Sequence, residues 1–240
     1  MSEKPTPLNE AQVDQINASI RYAMYSVFKV ADPLSEMSAS RGRAAREITK
    51  ILAAQAKKND LVVRGIFDVT AFRADADILI WWHAPTVEAL QDAYSAVRRS
   101  VLGEVLEPVW SQIGLHRQAE FNKTHVPAFL SGTDQLKYVC VYPFVRSYDW
   151  YVLPEEKRRE LLREHGALAR PYPDVRANTI AAFALGDYEW LLAFEADELH
   201  RIVDLMRDLR ASETRLHVRD ELPFFTGVRR EIGDLLERLP

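Results

Sequence analysis

The strongest constraint on the fold is an internal repeat. Residues 61–100 align without a gap onto residues 173–212, and each copy is predicted to form a strand, a turn, a second strand and an amphipathic helix. The identical pairs in this alignment are Val63 and Val175, Arg64 and Arg176, Asp75 and Asp187, Leu79 and Leu191, Ala84 and Ala196, Asp92 and Asp204, Arg98 and Arg210, and Ser100 and Ser212. The repeat predicts that the chain contains two copies of one structural unit.

Each copy lies inside a longer pattern. A strand and a helix are predicted before the repeat in each half, and a closing strand after it. These flanking elements are predicted at 22–30, 37–58 and 104–115 in the first half, and at 138–147, 154–170 and 215–225 in the second. The resulting β-α-β-β-α-β order is that of the ferredoxin-like unit, an antiparallel sheet with both helices on one face. We therefore predict an α+β fold of duplicated ferredoxin-like (βαββαβ) units whose open sheet faces bury each other in a barrel-like core.

The same pattern predicts the domain organisation. We expect an N-terminal ferredoxin-like half at 1–116, a connector at 117–136 and a C-terminal ferredoxin-like half at 137–240. A connection of about 20 residues without clear periodicity is uncommon in a compact protein and is often functional. A plain spacer is the alternative interpretation.

Charge and composition exclude several classes of function. The net charge of −4 gives no basic footprint for nucleic acid, and a single cysteine, Cys140, excludes an intrachain disulfide. Residues 1–15 are polar and have no signal-peptide core, while apolar runs such as Ile78–Ala84 are shorter than the ~20 residues that span a bilayer. We therefore expect a cytoplasmic protein with no membrane span and no nucleic-acid partner.

The predicted strand that opens the second half has an unusual face. Alternate positions carry aromatic side chains and one arginine, whereas a solvent face would be polar and a core face aliphatic. The residues of this face are Tyr138, Cys140, Tyr142, Phe144, Arg146, Tyr148 and Trp150. Alternation alone does not say what such a face binds.

The following helix places one histidine on or beside its apolar stripe. His165 is three or four residues from Leu161, Leu162, Leu168 and Ala169, so it is either a core histidine or a ligand that projects towards a cofactor. The six histidines show no HxxxH or HExxH spacing, which disfavours a zinc hydrolase. A single histidine could still bind haem iron, because the porphyrin supplies four ligands.

Longer motifs make the sequence resemble a known family. The segments "YPFVRSYDWY", "KRRELLREHG", "PDVRANTIAAFALGDYEWLLAFEA" and "RLHVRDELPFFTG" cover most of the second half, and "VRGIFD", "ADADILIWW" and "LHRQAEFNKTHVPAF" lie in the first half and the connector. Together they resemble the actinobacterial branch of the coproheme decarboxylases in the chlorite dismutase superfamily. The resemblance implies a duplicated ferredoxin-like α+β barrel, assembled as a homopentamer.

The resemblance also implies roles for individual residues. His165 matches the proximal haem ligand, Tyr142 the tyrosine that becomes a radical and abstracts a hydrogen from a propionate, and His125 the distal base that deprotonates hydrogen peroxide. Positions that bind propionates or line the porphyrin are matched by Arg146, Arg215, Phe144 and Trp150. These residue types suit the chemistry, because an imidazole transfers protons near neutral pH and a guanidinium binds carboxylates through forked donors.

The function implied by the resemblance is peroxide-dependent decarboxylation of iron coproporphyrin III to haem b in haem biosynthesis. Iron coproporphyrin would be both substrate and redox cofactor, two propionates would become vinyl groups, and a ferrochelatase could make transient contact to deliver the substrate.

Two departures from the wider superfamily bear on this prediction. The distal arginine of chlorite dismutases falls at Ala177, although Arg176 is one residue away, and the glutamate that pairs with their proximal histidine falls at Thr214. An alanine argues against chlorite chemistry, and a threonine predicts less firmly held haem. The alternatives are a chlorite dismutase or haem peroxidase of the same superfamily, a non-enzymatic haem-binding or haem-transfer protein, and a haem-free α+β-barrel monooxygenase.

Overall fold

The structure, a computed structural model, describes residues 8–34 and 40–240 and divides into two compact units. The N-terminal unit comprises Ile20–Leu115 and Phe225–Pro240, and the C-terminal unit comprises residues 8–19 and His116–Phe224. Each unit contains antiparallel strands and helices. Residues 117–136, predicted as a connector, belong to the C-terminal unit.

The described residues of the N-terminal unit form five strands and four helices. In chain order these are β1 (Tyr22–Val30), α2 (Arg41–Asn59), β2 (Val62–Asp68), β3 (Ile78–Ala84), α3 (Val87–Arg98), α4 (Val101–Glu104), β4 (Leu106–Leu115), β9 (Phe225–Arg229) and α7 (Ile232–Leu236). The first helix of the chain, α1 (Glu10–Ala18), belongs to the C-terminal unit. The strands pair antiparallel in the order β4-β1-β3-β2-β9. The sequence of four strands, fourth-first-third-second, is that of a ferredoxin-like sheet.

Helices α2 and α3 pack their apolar faces on one side of this sheet. Their side chains and those of α7 meet the strands in one large buried cluster, in which Ile48 is 1% exposed and Trp82 is fully buried. The helices begin where the sequence supplies caps, since Ser40 and Thr86 accept hydrogen bonds from Arg43 and Ala89 backbone N–H groups. The side of the sheet that faces the helices is therefore filled by the protein itself.

The C-terminal unit repeats the same strand order. Its elements after α1 are β5 (Tyr138–Arg146), α5 (Glu155–Ala169), β6 (Arg176–Ala181), β7 (Trp190–Ala196), α6 (Leu199–Leu209) and β8 (Val218–Asp220), with 3₁₀ turns at Ala128–Leu130, Trp150–Val152 and Glu213–His217. The strands pair antiparallel in the order β6-β7-β5-β8. The predicted duplicated ferredoxin-like α+β fold is confirmed in both units.

The cluster on the helix side of this second sheet is smaller and more aromatic. It combines Tyr142 of β5 and Phe194 of β7 with Ile202 and Leu205 of α6, while α5 has only Leu161 fully buried. Helix α5 therefore covers the sheet with little aliphatic filling of its own. None of the described helices is long and apolar enough to cross a membrane.

Candidate functional site

Strand β5 presents the predicted row of alternate side chains on the helix side of its sheet. Tyr138, Cys140, Tyr142 and Phe144 all belong to the cluster that α6 covers. Pairing with β7 on one edge and β8 on the other fixes the register of β5, with Tyr142 opposite Leu192. The period of two thus brings these side chains together on one face, as predicted.

Tyr142 is buried in apolar and aromatic surroundings. Its ring stacks on Phe224 with centroids 4.4 Å apart, and its hydroxyl donates to Met206 Sδ at 3.7 Å. Burial is the main cause that raises the pKa of the phenol far above its usual value of 10.0, and the charge of Glu221 adds to it. The phenol therefore keeps its proton at any pH at which the protein functions.

Arg146 lies at the end of the same face and is half-buried among aromatic rings. Its guanidinium carbon lies 4.2 Å from the ring centroid of Trp150 and 5.1 Å from that of Phe144. Burial lowers the pKa of Arg146 to about 10, so the group remains a cation at neutral pH. No residue in the described ranges 8–34 and 40–240 accepts a hydrogen bond or ion pair from this guanidinium. Arg146 is thus available to a ligand carboxylate.

The two predicted wall residues hold this arginine in place. Trp150 is 3% exposed and packs against His217 with centroids 5.4 Å apart, and Phe144 stacks on Trp190 at 6.1 Å. Phe144 and Trp150 therefore both lie against the cation, and Phe144 also belongs to the face that carries Tyr142.

Arg215, unlike Arg146, has a guanidinium that is paired with a carboxylate of the protein. It is an exposed residue of the 3₁₀ turn Glu213–His217, and its guanidinium pairs with Glu221 at 2.7 Å. The same carboxylate also pairs with Arg210 at 2.6 Å. A ligand carboxylate at Arg215 would have to compete with Glu221.

His165 projects from α5 with one buried ring nitrogen. Within the described part of the chain, Nδ1 has no hydrogen-bond partner. Burial, followed by the charge of Arg146, lowers the pKa of His165 from 6.5 to about 4, so the imidazole is neutral at pH 7. A neutral imidazole has the lone pair that a metal ion requires. The influence of Arg146 also shows that this histidine and the free cation share one region.

Thr214, aligned with the glutamate of chlorite dismutases, does not contact this imidazole through its hydroxyl. Thr214 is buried, and Oγ1 donates to the backbone carbonyl of Leu161 at 3.0 Å, one turn before His165 in α5. It anchors the helix instead of polarising the ring.

His125 lies apart from these residues, in the connector. It is exposed, and among the described residues its side chain makes no hydrogen bond. The surrounding chain still removes enough solvent to lower the pKa of its imidazole, and its charge lowers the pKa of buried His116. The structure thus places His125 near His116, and it is Tyr142, Arg146 and His165 that come together around β5 and α5.

The two neighbouring residues of β6 point in opposite directions. Ala177 packs in the cluster that contains Tyr142, whereas the Arg176 side chain donates to the carbonyl of Asp134 in the connector. The side of β6 that faces the helices therefore carries a methyl group and no guanidinium.

Several contacts of this site were missed in the sequence. Met206 and Phe224 contact Tyr142, and Glu221 forms an ion pair with Arg215. All three residues lie more than 60 positions after Tyr142 in the sequence. The apolar stripe of α6 could have placed Met206 towards the sheet. No local pattern indicates the contacts of Phe224 and Glu221.

The site suits a flat, carboxylate-bearing ligand with a metal at its centre. A neutral histidine with an unpartnered buried nitrogen, a free arginine and aromatic walls match the iron, the carboxylates and the faces of a porphyrin. Groups of three metal-binding side chains are not found among residues 8–34 and 40–240.

Comparisons with known proteins agree with this geometry. The chain is 58% identical over 228 residues to a coproheme decarboxylase from Mycolicibacterium smegmatis, covering 95% of this chain and 97% of the relative. It is 26% identical over 193 residues to a coproheme decarboxylase from Staphylococcus saprophyticus, covering 72% of this chain and 75% of the relative.

The fold comparison gives the same result. A chlorite dismutase variant from Candidatus Nitrospira defluvii superposes with a TM-score of 0.82 at 20% identity, covering 94% of this chain and 98% of the other. At that identity the likeness shows the fold alone. The sequence model of the chlorite dismutase family matches residues 41–230. The chain therefore belongs to the chlorite dismutase family.

Proposed function

We propose that this protein is an enzyme that converts iron coproporphyrin III to haem b with hydrogen peroxide, in haem biosynthesis. The observation that carries the proposal is the combination of buried Tyr142, unpaired Arg146 and neutral His165 in one region. The relative with 58% identity, itself a coproheme decarboxylase, supports it.

The proposed reaction balances for each propionate separately. One propionate carboxylate, one hydrogen peroxide and one proton give one vinyl group, one carbon dioxide and two waters. Bound iron porphyrin supplies the redox chemistry, and the protein supplies binding, orientation and proton transfer. Two such rounds convert the substrate into haem b.

In this proposal His165 holds the iron through a ring nitrogen, and arginines hold carboxylates. Arg146 is already unpaired and oriented by Trp150 and Phe144, so it binds a propionate with little reorganisation. Arg215 binds a second propionate after Glu221 has moved. Phe144 and Trp150 form the aromatic walls.

Tyr142 is the proposed hydrogen-abstracting residue. Because its phenol stays protonated, loss of one electron must be accompanied by loss of the hydroxyl proton. The resulting tyrosyl radical takes a hydrogen atom from the propionate, and this restores the phenol. The carbon radical that remains would give one further electron to the oxidising equivalents that peroxide supplies, and release of carbon dioxide would leave the vinyl group. Apolar neighbours such as Phe224 and Met206 exclude water from the radical.

His125 is the proposed base for hydrogen peroxide. Its lowered pKa keeps the imidazole neutral at pH 7, so it can accept a proton from peroxide and return it to the departing oxygen. Its exposed position in the connector requires the connector to bring the ring to the bound porphyrin.

The orientation of Arg176 counts against the chlorite dismutase and peroxidase alternatives. These require a guanidinium on the side of the sheet that faces the ligand, where this chain has Ala177. A non-enzymatic haem-binding role would not need an oxidisable phenol at Tyr142.

The decisive experiment is peroxide addition to protein loaded with iron coproporphyrin. Mass spectrometry of the porphyrin should show two successive losses, and Tyr142→Phe should lower both rates by at least about a thousandfold, because no other group replaces the phenol. Tyr138→Phe is the matched control, since Tyr138 lies on the same face of β5, and its rates should stay within about threefold.

Intact porphyrin after peroxide treatment of the unmodified protein would contradict the proposal. Full turnover by Tyr142→Phe would contradict the role of this residue and favour an alternative oxidant.

Three further expectations are proposals of the same kind. We propose a homopentamer, which the family resemblance implies, and a cytoplasmic location, which rests on the polar amino terminus and the short apolar runs of the sequence. A transient contact with a ferrochelatase is the third of these proposals. The proposed division of the sequence into 1–116, 117–136 and 137–240 likewise assigns porphyrin binding to the last segment and His125 to the connector.

A further inference from the structure

One carboxylate beside the site is shared by two arginines. Glu221 pairs with Arg215 at 2.7 Å and with Arg210 at 2.6 Å, and a second oxygen accepts from Arg210 at 2.9 Å. The side chain of Glu221 is only 14% exposed, whereas those of both arginines are 40% exposed. The carboxylate is therefore enclosed between two cations that remain accessible to a ligand.

This arginine–glutamate cluster (Arg210, Arg215 and Glu221) lies close to Tyr142. Phe224, three residues after Glu221, stacks on the Tyr142 ring at 4.4 Å. The charges of Glu221 and Arg210 also act on the phenol, Glu221 raising and Arg210 lowering its pKa. A ligand carboxylate near Tyr142 would therefore be within reach of this cluster.

The contrast with Arg146 suggests what Glu221 does. The guanidinium of Arg146 has no acceptor among the described residues and lies against aromatic rings, while the nearby Glu189 carboxylate accepts from the Arg146 backbone N–H at 2.8 Å. A ligand at this guanidinium therefore has no existing ion pair to separate. At Arg215 a ligand must first separate an existing ion pair. Both guanidinium groups can bind a carboxylate, but that of Arg215 is already paired with Glu221.

We infer that Glu221 takes the place of a substrate carboxylate at Arg215 when the site is empty, and competes with that carboxylate when a porphyrin binds. The identity of the ligand rests on the proposed function. Glu221 then weakens binding only of ligands that carry a carboxylate at this position. It also pairs again with Arg215 when that carboxylate leaves, which favours release.

The test measures binding of metal-free coproporphyrin III by quenching of porphyrin or tryptophan fluorescence. Glu221→Gln keeps the size and hydrogen-bonding groups of the side chain but removes its charge. Because an accessible ion pair contributes up to about 1 kcal/mol, Kd should fall about fivefold. The tetramethyl ester of the same porphyrin, measured in the same cosolvent, should bind both proteins equally.

Two controls isolate the ion pair. Glu213→Gln removes another paired glutamate of the same segment, which binds Lys157 at 3.2 Å, and should leave the coproporphyrin Kd within twofold. In an Arg215→Gln background, Glu221→Gln should lose most of its effect, as a double-mutant cycle requires. Glu221→Asp, which is too short to bridge both arginines, should give an intermediate Kd and serves if Glu221→Gln folds poorly.

An unchanged Kd in Glu221→Gln, or an equal change for the ester, would overturn the inference while leaving the proposed function intact. Failure of the unmodified protein to bind coproporphyrin at all would overturn both.

Discussion

Burial lowers the pKa of four histidines and so favours their neutral form. Lowered pKa values are found for His83, His116, His125 and His165, each with desolvation as the leading cause. His83 is the most perturbed: it is 5% exposed, its Nδ1 accepts from Arg21 Nε at 2.7 Å, and its pKa falls to about 3. Protonation of His83 would break this hydrogen bond and place a cation beside Arg21 and Arg64.

His83 should therefore make stability depend on pH. Since its pKa is 6.5 in the unfolded chain and about 3 in the folded one, its contribution is complete above pH 6.5 and is lost as pH falls towards 3. In His83→Gln, the free energy of unfolding should fall less steeply between pH 6.5 and 4, by up to about 1.4 kcal/mol per pH unit. Denaturant unfolding at several pH values checks this.

His200→Gln is the matched control, because the His200 side chain is 67% exposed, and its slope should follow the unmodified protein. Identical slopes for His83→Gln and the unmodified protein would show that His83 does not titrate in this way.

Individual site residues could be predicted from the sequence to different extents. Strand alternation is enough to place Tyr142 and Phe144 on one face, and helix periodicity places His165 beside the stripe of α5. The ion pair of Glu221 with Arg215 could not be predicted, because it depends on the path of a segment with little regular structure. The roles of these residues came from the family resemblance and not from periodicity.

At the scale of elements, the connector is fixed to the sheet of its unit by a buried asparagine. The backbone N–H of Phe129 donates to Asn178 Oδ1 at 3.0 Å, and Asn178 Nδ2 donates to the Ala193 carbonyl at 3.1 Å and to Glu195 Oε2 at 3.2 Å. Asn178 and Glu195 are fully buried. The connector, in which the described secondary structure is one short 3₁₀ turn, therefore has a defined attachment to β6 and β7 at Phe129, four residues after His125.

Removing this attachment should loosen the connector. Asn178→Ala deletes the acceptor of the Phe129 N–H group and should lower the free energy of unfolding by about 1–3 kcal/mol. Hydrogen exchange of residues 126–131, measured by mass spectrometry, should speed up more than that of β5.

Asn122→Ala is the control within the connector, because that exposed side chain only accepts from the Thr124 hydroxyl at 3.0 Å, and its effect should stay below about 0.5 kcal/mol. Unchanged exchange around Phe129 in Asn178→Ala would mean that the connector is held by other contacts.

Element bounds were predicted well where hydrophobic periodicity is strong. The strand at 22–30 is found as predicted, and the strand predicted at 138–147 and the helix predicted at 154–170 are found as β5 (Tyr138–Arg146) and α5 (Glu155–Ala169). The start of the helix predicted at 37–58 lies partly outside the described residues.

The prediction of a single strand at 215–225 is wrong for most of these residues. The chain there forms a 3₁₀ turn, the three-residue strand β8 and an irregular segment that contains Pro223, and Phe225 starts β9, which pairs with β2. Alternation in the sequence does not reveal such a change of partner.

For the molecule as a whole, one fold occurs twice with different contents. Both units have the fourth-first-third-second strand order, but the N-terminal unit fills the helix side of its sheet with Ile48, Trp82 and Leu90, all buried. The C-terminal unit has Tyr142 and Phe194 there instead, and its helix α5 carries the half-buried His165. The repeat in the sequence predicts the shared strand order, whereas the difference in filling follows from side-chain size and packing.

This difference predicts one porphyrin per chain. Absorbance titration with iron coproporphyrin should reach its end point at one equivalent. Among the described residues, the C-terminal unit offers a neutral histidine near an arginine whose guanidinium has no acceptor, whereas the neutral His83 of the N-terminal unit already accepts from Arg21. Ile48→Ala, which opens a cavity in the N-terminal unit, should cost about 2–5 kcal/mol of unfolding free energy and leave the end point unchanged. An end point at two equivalents would show that the N-terminal unit also binds.

The aromatic contacts of Arg146 have a consequence for the direction from which a ligand can arrive. The rings of Trp150 and Phe144, with centroids 4.2 and 5.1 Å from the guanidinium carbon, occupy part of the space around the cation. An anion can therefore reach Arg146 only from the directions that these rings leave open. A carboxylate that meets two of its N–H groups side by side can form two parallel hydrogen bonds, so the elements that carry the rings also select the direction of approach.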